Sequence, residues 1–149
     1  MASDFTIKNC YALADVTATG VNAGGIAGYY CSNFTIENCY YSGNVSASKC
    51  AGGIAGTALG GTIQNCVSLA ESVTGSNANR IAGYKNGETL TANYAWSDTK
   101  VNNATVSADG AGGVNGANLT YTDGTLSPQF SAIFGNDSHG TSQTTACRY

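Results

Sequence analysis

Phe34-Thr35-Ile36-Glu37-Asn38-Cys39-Tyr40 has a near copy at Phe5-Thr6-Ile7-Lys8-Asn9-Cys10-Tyr11 and another at Gly61-Thr62-Ile63-Gln64-Asn65-Cys66-Val67. A weaker fourth copy is Thr89-Leu90-Thr91-Ala92-Asn93-Tyr94. From Ile7 to Ile36, Ile63 and Leu90 the steps are 29, 27 and 27 residues. Two further columns keep pace: Val16, Val45, Val73 and Val101, and the segments Gly24-Gly25-Ile26-Ala27-Gly28, Gly52-Gly53-Ile54-Ala55-Gly56, Asn79-Arg80-Ile81-Ala82-Gly83 and Gly112-Gly113-Val114-Asn115-Gly116. The last of these comes late, 33 residues after its predecessor when Ile81 is counted to Val114, which places a short insertion near Val106 to Ala111.

A period near 28 with short β-like stretches has few physical solutions. The Gly, Thr and Asn content excludes helical repeats of the ankyrin or tetratricopeptide kind, and the Leu/Asn ladder of a leucine-rich repeat is missing. A β-sandwich does not require like residues at a fixed period. A parallel β-solenoid does: each repeat forms one coil, and like side chains stack in ladders ~4.8 Å apart. The expected fold is therefore all-β, a right-handed parallel β-solenoid of about four coils over residues 5–118, with handedness taken from the rule for parallel crossovers. Ile7, Ile36, Ile63 and Leu90 face inward, as do Ile26, Ile54, Ile81 and Val114. Lys8, Glu37, Gln64 and Thr91 face water, with Lys8 and Glu37 as vertical neighbours. Thr6, Thr35, Thr62 and Thr89 form an outward ladder. Asn79 replaces the first Gly of the pair and Arg80 the second. Because Asn tolerates positive φ and a buried Arg is costly, the first position is expected to turn the corner and the second to point outward.

Residues 119–149 leave the repeat and are expected to form a C-terminal cap within the single domain 1–149. Ser127-Pro128-Gln129-Phe130-Ser131-Ala132-Ile133-Phe134-Gly135 reads as a short helix, with Ser127 as N-cap, Pro128 in the first turn and Gly135 at the stop. Phe130, Ile133 and Phe134 share one face. No matching cap is read before Phe5, so further coils upstream or end-to-end contacts at the N-terminal coil are expected. Met1-Ala2-Ser3-Asp4 is not a signal peptide, so a secreted parent protein would make this chain a mature piece or an excised segment.

The 149 residues carry a formal charge of −3, and only 10% are charged. Asn, Ser and Thr make up nearly a third of the chain. The six basic residues are scattered, which gives no nucleic-acid footprint. No apolar run approaches the ~18 residues of a membrane helix.

The combination of I-x-N-C-Y, a Gly-Asn-Val strand (Gly43-Asn44-Val45) and G-G-I-A-G resembles the GLUG motif. Repeats of that motif occur in bacterial cell-surface and secreted proteins, including adhesins and the non-catalytic regions of immunoglobulin A-specific metalloendopeptidases. The resemblance covers about residues 5–118 and is good for the first three repeats. It implies an extracellular or cell-surface bacterial module with an adhesive or spacing role, and it carries over no catalytic residue.

The chemistry-bearing residues point the same way. Cys10, Cys39 and Cys66 share a column; a reduced inward ladder is expected, because parallel Cβ vectors strain a disulfide. Cys31 and Cys50 fall at opposite ends of a strand and should not pair. No Cys/His cluster marks a metal site, His139 is the only His, and no cofactor is implied. No column holds two carboxylates, and Asp15, stacked on Asn44, Ser72 and Lys100, reads as a turn residue, so no enzyme is expected. Paired flat Thr columns, as an ice-binding face needs, are interrupted by Lys8, Glu37 and Gln64. Asn-x-Ser/Thr at Asn33, Asn44, Asn103, Asn118 and Asn136 fits chance in an Asn- and Thr-rich chain. Tyr11, Tyr40, Tyr94 and Trp96 are the candidate glycan-contact residues, with Tyr29, Tyr30, Tyr41 and Tyr84 as further aromatics. The same stacked rings can serve simply to bind coil to coil. The expected function is thus a stalk or adhesion module whose partner is a host or bacterial surface glycan or protein. The rivals are a glycan-binding module on the Tyr columns and an accessory domain of a larger secreted enzyme.

Overall fold

The computed structural model describes residues 4–31, 33–122 and 125–126. They form a parallel β-solenoid of about four coils, and no helix occurs among the described residues. The first coil holds β1 (Phe5–Lys8), β2 (Tyr11–Ala12), β3 (Val16–Thr17), β4 (Asn22–Gly24) and β5 (Ala27–Cys31). The second holds β6 (Phe34–Glu37), β7 (Tyr40–Tyr41), β8 (Asn44–Ser46), β9 (Cys50–Gly52) and β10 (Ala55–Leu59). The third holds β11 (Thr62–Gln64), β12 (Val67–Ser68), β13 (Ser72–Thr74), β14 (Asn77–Asn79) and β15 (Ala82–Asn86). The fourth contributes β16 (Thr89–Thr91), β17 (Tyr94–Trp96), β18 (Lys100–Val101) and β19 (Ala104–Thr105), followed by β20 (Ala117–Leu119), β21 (Tyr121–Thr122) and β22 (Thr125–Leu126).

Like strands stack into five sheets: β1-β6-β11-β16, β2-β7-β12-β17-β20, β3-β8-β13-β18-β19, β4-β9-β14 and β5-β10-β15. Each full coil thus has five short strands. The pairing is in register along the columns read from sequence: Ile7 with Ile36 with Ile63 with Leu90, and Val16 with Val45 with Val73 with Val101. Ile36, Ile54, Ile63 and Ile81 are fully buried, and Ile7, Ile26 and Val114 pack against the same core. Outside, Lys8 Nζ lies 3.1 Å from Glu37 Oε1. Asn44 donates to Asp15 Oδ1 from both its backbone N–H and its side-chain amide (2.8 and 3.1 Å), and Ser72 Oγ donates to Asn44 Oδ1 at 2.6 Å.

The corners differ from expectation. The turn between the first and second strand of each coil is made by the motif's Asn: Asn9, Asn38 and Asn65 have φ of 56°, 54° and 52°, with Ala92 at 53° in the fourth coil. Asn is the residue other than Gly that best tolerates this left-handed conformation. Neither glycine of the Gly-Gly pair has positive φ in any coil. The pair matters for space instead. A Cβ on Gly24 would lie 2.6 Å from Gly56 N, and one on Gly52 would lie 2.6 Å from Gly83 N. The chain therefore folds back on itself at Gly-Gly-Ile-Ala-Gly with two backbones in contact.

The second glycine faces inward, not out. A Cβ on Gly25 would strike the Tyr41 ring, and one on Gly53 would lie 2.8 Å from Ser68 Cβ. Tyr41, fully buried, hydrogen-bonds through its hydroxyl to Ala14 O and Asn44 O (2.9 and 3.0 Å). In the third coil the exchange runs the other way. Arg80 takes the glycine position, and the residue stacked above Tyr41 and Ser68 is Ala95. Arg80 is completely buried, where an outward position was expected. Its Nε donates to Asn115 O (3.0 Å), one terminal nitrogen to Trp96 O (3.2 Å) and Asn118 Oδ1 (2.8 Å), and the other to Gly116 O (3.3 Å). Those acceptors all lie in the fourth turn, so Arg80 fastens that irregular turn to the regular ones. Burial lowers its guanidinium pKa from the ordinary value, and the nearby Asp109 opposes the shift.

The insertion begins earlier than Val106. Asn102 and Asn103, with φ of 49° and 67°, reverse the chain so that β19 pairs antiparallel to β18. Asp109 then accepts from Asn115 N–H at 2.9 Å, and Val114 O receives Ile81 N–H at 2.9 Å, which restores the stack. β20 adds to β17 in register, Tyr94 to Ala117 and Trp96 to Leu119, so the stack runs one residue into the segment assigned to the cap. β21 and β22 follow as an antiparallel pair. The short helical cap is not supported: the described start of 119–149 is strand, and Ser127–Gly135 lies outside the described residues.

Two substitutions test this architecture. Ala92→Gly removes the Cβ from a left-handed corner and should raise stability by about 1 kcal/mol in chemical denaturation. Glu88 is 4% exposed; its Oε2 accepts from Asn86 N–H at 2.6 Å, while Oε1 has no partner among the described residues. Burial raises its carboxyl pKa above 4.5. The neutral form is favoured in the fold, so its contribution to stability is full below about 4.5 and is lost as pH rises through the folded value. Glu88→Gln should therefore lose less stability than the parent chain between pH 4 and pH 7 in paired denaturation curves.

Candidate functional site: the aromatic outer faces

The outer face of β2-β7-β12-β17-β20 carries two ladders. One runs Tyr11, Tyr40, Val67, Tyr94, Ala117. The other includes Leu69, Trp96 and Leu119, two residues further along the same strands. Strand alternation puts both on the side opposite Tyr41, Ser68 and Ala95. The rings of Tyr11 and Tyr40 stack at 5.2 Å and 9°, the offset-parallel contact that in-register rungs impose on like aromatics. Tyr40, Val67, Leu69 and Leu119 form a second buried cluster, and Tyr94 and Trp96 pack against it half-buried. Of the four candidate contact residues, Tyr11 is broadly exposed at 46%, whereas Tyr40 is 4% exposed. The structure thus brings all four to one face, where Tyr40, Tyr94 and Trp96 join a cluster with Val67, Leu69 and Leu119 and Tyr11 stacks on Tyr40.

A second aromatic ladder lies on β5-β10-β15. Tyr29, Thr57 and Tyr84 are in register, with Tyr29 52% and Tyr84 45% exposed. Thr57 between them is buried and donates through Oγ1 to Asn22 Oδ1 at 2.8 Å. The sequence signal for this column was available: Ala27-Gly28-Tyr29, Ala55-Gly56-Thr57 and Ala82-Gly83-Tyr84 each follow the repeat's Ile. The column mixes Tyr with Thr, so like residues at the repeat's period do not mark it.

The cysteine column is reduced. Cys10, Cys39, Cys50 and Cys66 are free. Cys39 Sγ lies 3.2 Å from Glu37 O, and Cys66 Sγ 3.2 Å from Gln64 O, so each thiol has a carbonyl to donate to. Contact with Cys39 and burial push the Cys66 thiol pKa up. Cys10 departs from the expected inward ladder: it is exposed, in the coil at the edge of every sheet. In the fourth coil Asn93 takes the column's place, accepting from Cys66 N–H (3.0 Å) and donating to Ile63 O (2.8 Å).

The described carboxylates engage different partners. Asp15 and Asp109 hold backbone turns, Glu37 pairs with Lys8, and Glu88 is buried alone. No group of three His, Cys, Asp or Glu side chains that could hold a metal ion occurs among the described residues; His139 lies outside them. No family model, curated protein or solved structure matches this chain.

Thiol accessibility separates the column's members. In the native protein, Cys10 should alkylate readily while Cys39, Cys50 and Cys66 resist. All four should react after unfolding without reductant, as read by peptide mass spectrometry. A thiol among them that stays unreactive in denaturant would reveal a disulfide.

Proposed function

We propose that this chain is a non-catalytic repeat module of a bacterial surface protein, a right-handed solenoid that acts as a stalk or adhesive spacer. The observation that carries the reading is the continuity of its ladders. Side chains one repeat apart bond to each other on the outside, as Lys8–Glu37, Asp15–Asn44–Ser72 and Ser46–Thr17 do, and stack inside, as the Ile and Val columns do. Such a stack adds length by adding coils, each contacting only its neighbours. The GLUG-like motif supports an extracellular setting.

The partner surface follows from the first coil. β1 to β5 each stand at the edge of their sheets, and Phe5, Ile7, Val16 and Ile26 are only partly buried where Phe34, Ile36, Val45 and Ile54 are fully so. A further coil of the same repeat fits that end, since an exposed strand edge is a template for pairing.

Antibody raised against the chain should label intact cells of the source organism, and the purified chain should hydrolyse no polysaccharide or peptide in a broad substrate panel. Labelling only after permeabilisation, or turnover lost on changing one carboxylate, would overturn the reading.

A further inference from the structure

We infer that the Tyr29–Thr57–Tyr84 ladder is a binding seat for a linear, uncharged β-1,4-linked glycan lying along the solenoid axis. The proposal concerns a different face from Tyr11 and Tyr40 and does not depend on the stalk reading.

Three features converge on this ligand. First, the rings are about half exposed. Tyr29 and Tyr84 are among the most exposed large hydrophobic side chains of the described residues, at 52% and 45%. An aromatic face offers a pyranose ring the CH–π contact that suits its apolar side.

Second, the spacing is fixed by the backbone. Both tyrosines are in register with Thr57 on neighbouring strands, so they stand two rungs apart, ~9.6 Å along the axis. In an extended β-1,4-linked chain each sugar is flipped relative to the last, so every second sugar presents the same face, and the two-sugar repeat is close to this distance. Two like rings at a two-rung interval therefore meet two like faces. Helically coiled α-linked chains do not present that repeat.

Third, the middle of the seat is low and polar. Thr57 is small, and its hydroxyl is already tied to Asn22. That leaves room between the rings for the intervening sugar. Asn86, exposed at the end of β15, supplies an amide for hydrogen bonding beside Tyr84. The parallel strands hold all of these groups in place before binding, so little ordering cost falls on association.

Affinity electrophoresis in gels containing hydroxyethylcellulose, glycol chitin or dextran tests this directly, with cellohexaose and chitohexaose titrated calorimetrically. The chain should be retarded by at least one of the two β-1,4-linked polymers and not by dextran. Tyr29→Ala and Tyr84→Ala should each weaken binding at least tenfold, the double variant should abolish it, and Tyr29→Trp should retain it. Tyr11→Ala should leave binding unchanged. Thermal midpoints of the variants, matched to the parent chain, exclude misfolding as the cause. Failure of the parent chain to bind either β-1,4-linked polymer would overturn the proposal. So would equal retardation by dextran, or binding undiminished in a folded double variant.

Discussion

Two stretches of backbone approach each other at every Gly-Gly-Ile-Ala-Gly turn so closely that no side chain fits between them. Gly56 is the clearest case: a Cβ there would meet Ala23 O at 2.7 Å and Ala23 N at 2.8 Å, both backbone atoms that cannot swing aside. Gly83 faces the same constraint from Ala51 N and Gly56 O, each at 2.6 Å. Because the contact joins one coil to the next, only glycine fits it at the ~4.8 Å rise that strand pairing sets. The ladders of Ile, Val and Thr keep register through the first three coils, where this contact recurs as Gly24 against Gly56 and Gly52 against Gly83.

Given that geometry, the interior has a fixed cross-section, and each coil must fill it. Close packing permits exchanges of volume between facing positions but not net changes. Gly25 opposite Tyr41 is one such exchange, and Arg80 in the glycine position with Ala95 in the Tyr41 column is the reverse; Gly53 and Ser68 are both small. The Arg80 solution admits a cation to the core, which is tolerable because its nitrogens find three carbonyl groups and the Asn118 amide oxygen. The same residue compensates for the irregular fourth turn, whose insertion would otherwise detach Asn115 to Asn118 from the coils below.

Most of this was legible. In-register stacking made each column a direct reading of like residues, and Ile7–Ile36–Ile63–Leu90, the Val column and the Lys8–Glu37 pair followed from it. The inward Arg80 was not legible, because single-residue burial costs argue against it and only the facing Ala95 in another strand reveals the space. The corner was misplaced for a related reason: glycine signals a turn, and here it signals contact, while the motif's Asn holds the left-handed corner in the first three coils and Ala92 holds it in the fourth. Among aromatics, sequence spacing grouped Tyr11, Tyr40, Tyr94 and Trp96 correctly on one face, but exposure depends on what packs beside them. Leu69 and Leu119, which cluster with Tyr40 and Val67 there, lie outside the motif. Tyr29 and Tyr84 are about as exposed as Tyr11, under a weaker periodic signal.

The Gly28–Gly56–Gly83 column tests the coil-to-coil contact most directly, since one member has room and the others do not. A Cβ on Gly28 would find only Asn22 O, at 3.5 Å. Urea denaturation of Gly28→Ala and Gly56→Ala, compared with the parent chain, should show a change within about 0.5 kcal/mol for the first. For the second it should show a loss of about 3 kcal/mol or more. Equal effects of the two substitutions would contradict the account, for they would mean that Gly56 does not lie pressed between neighbouring coils.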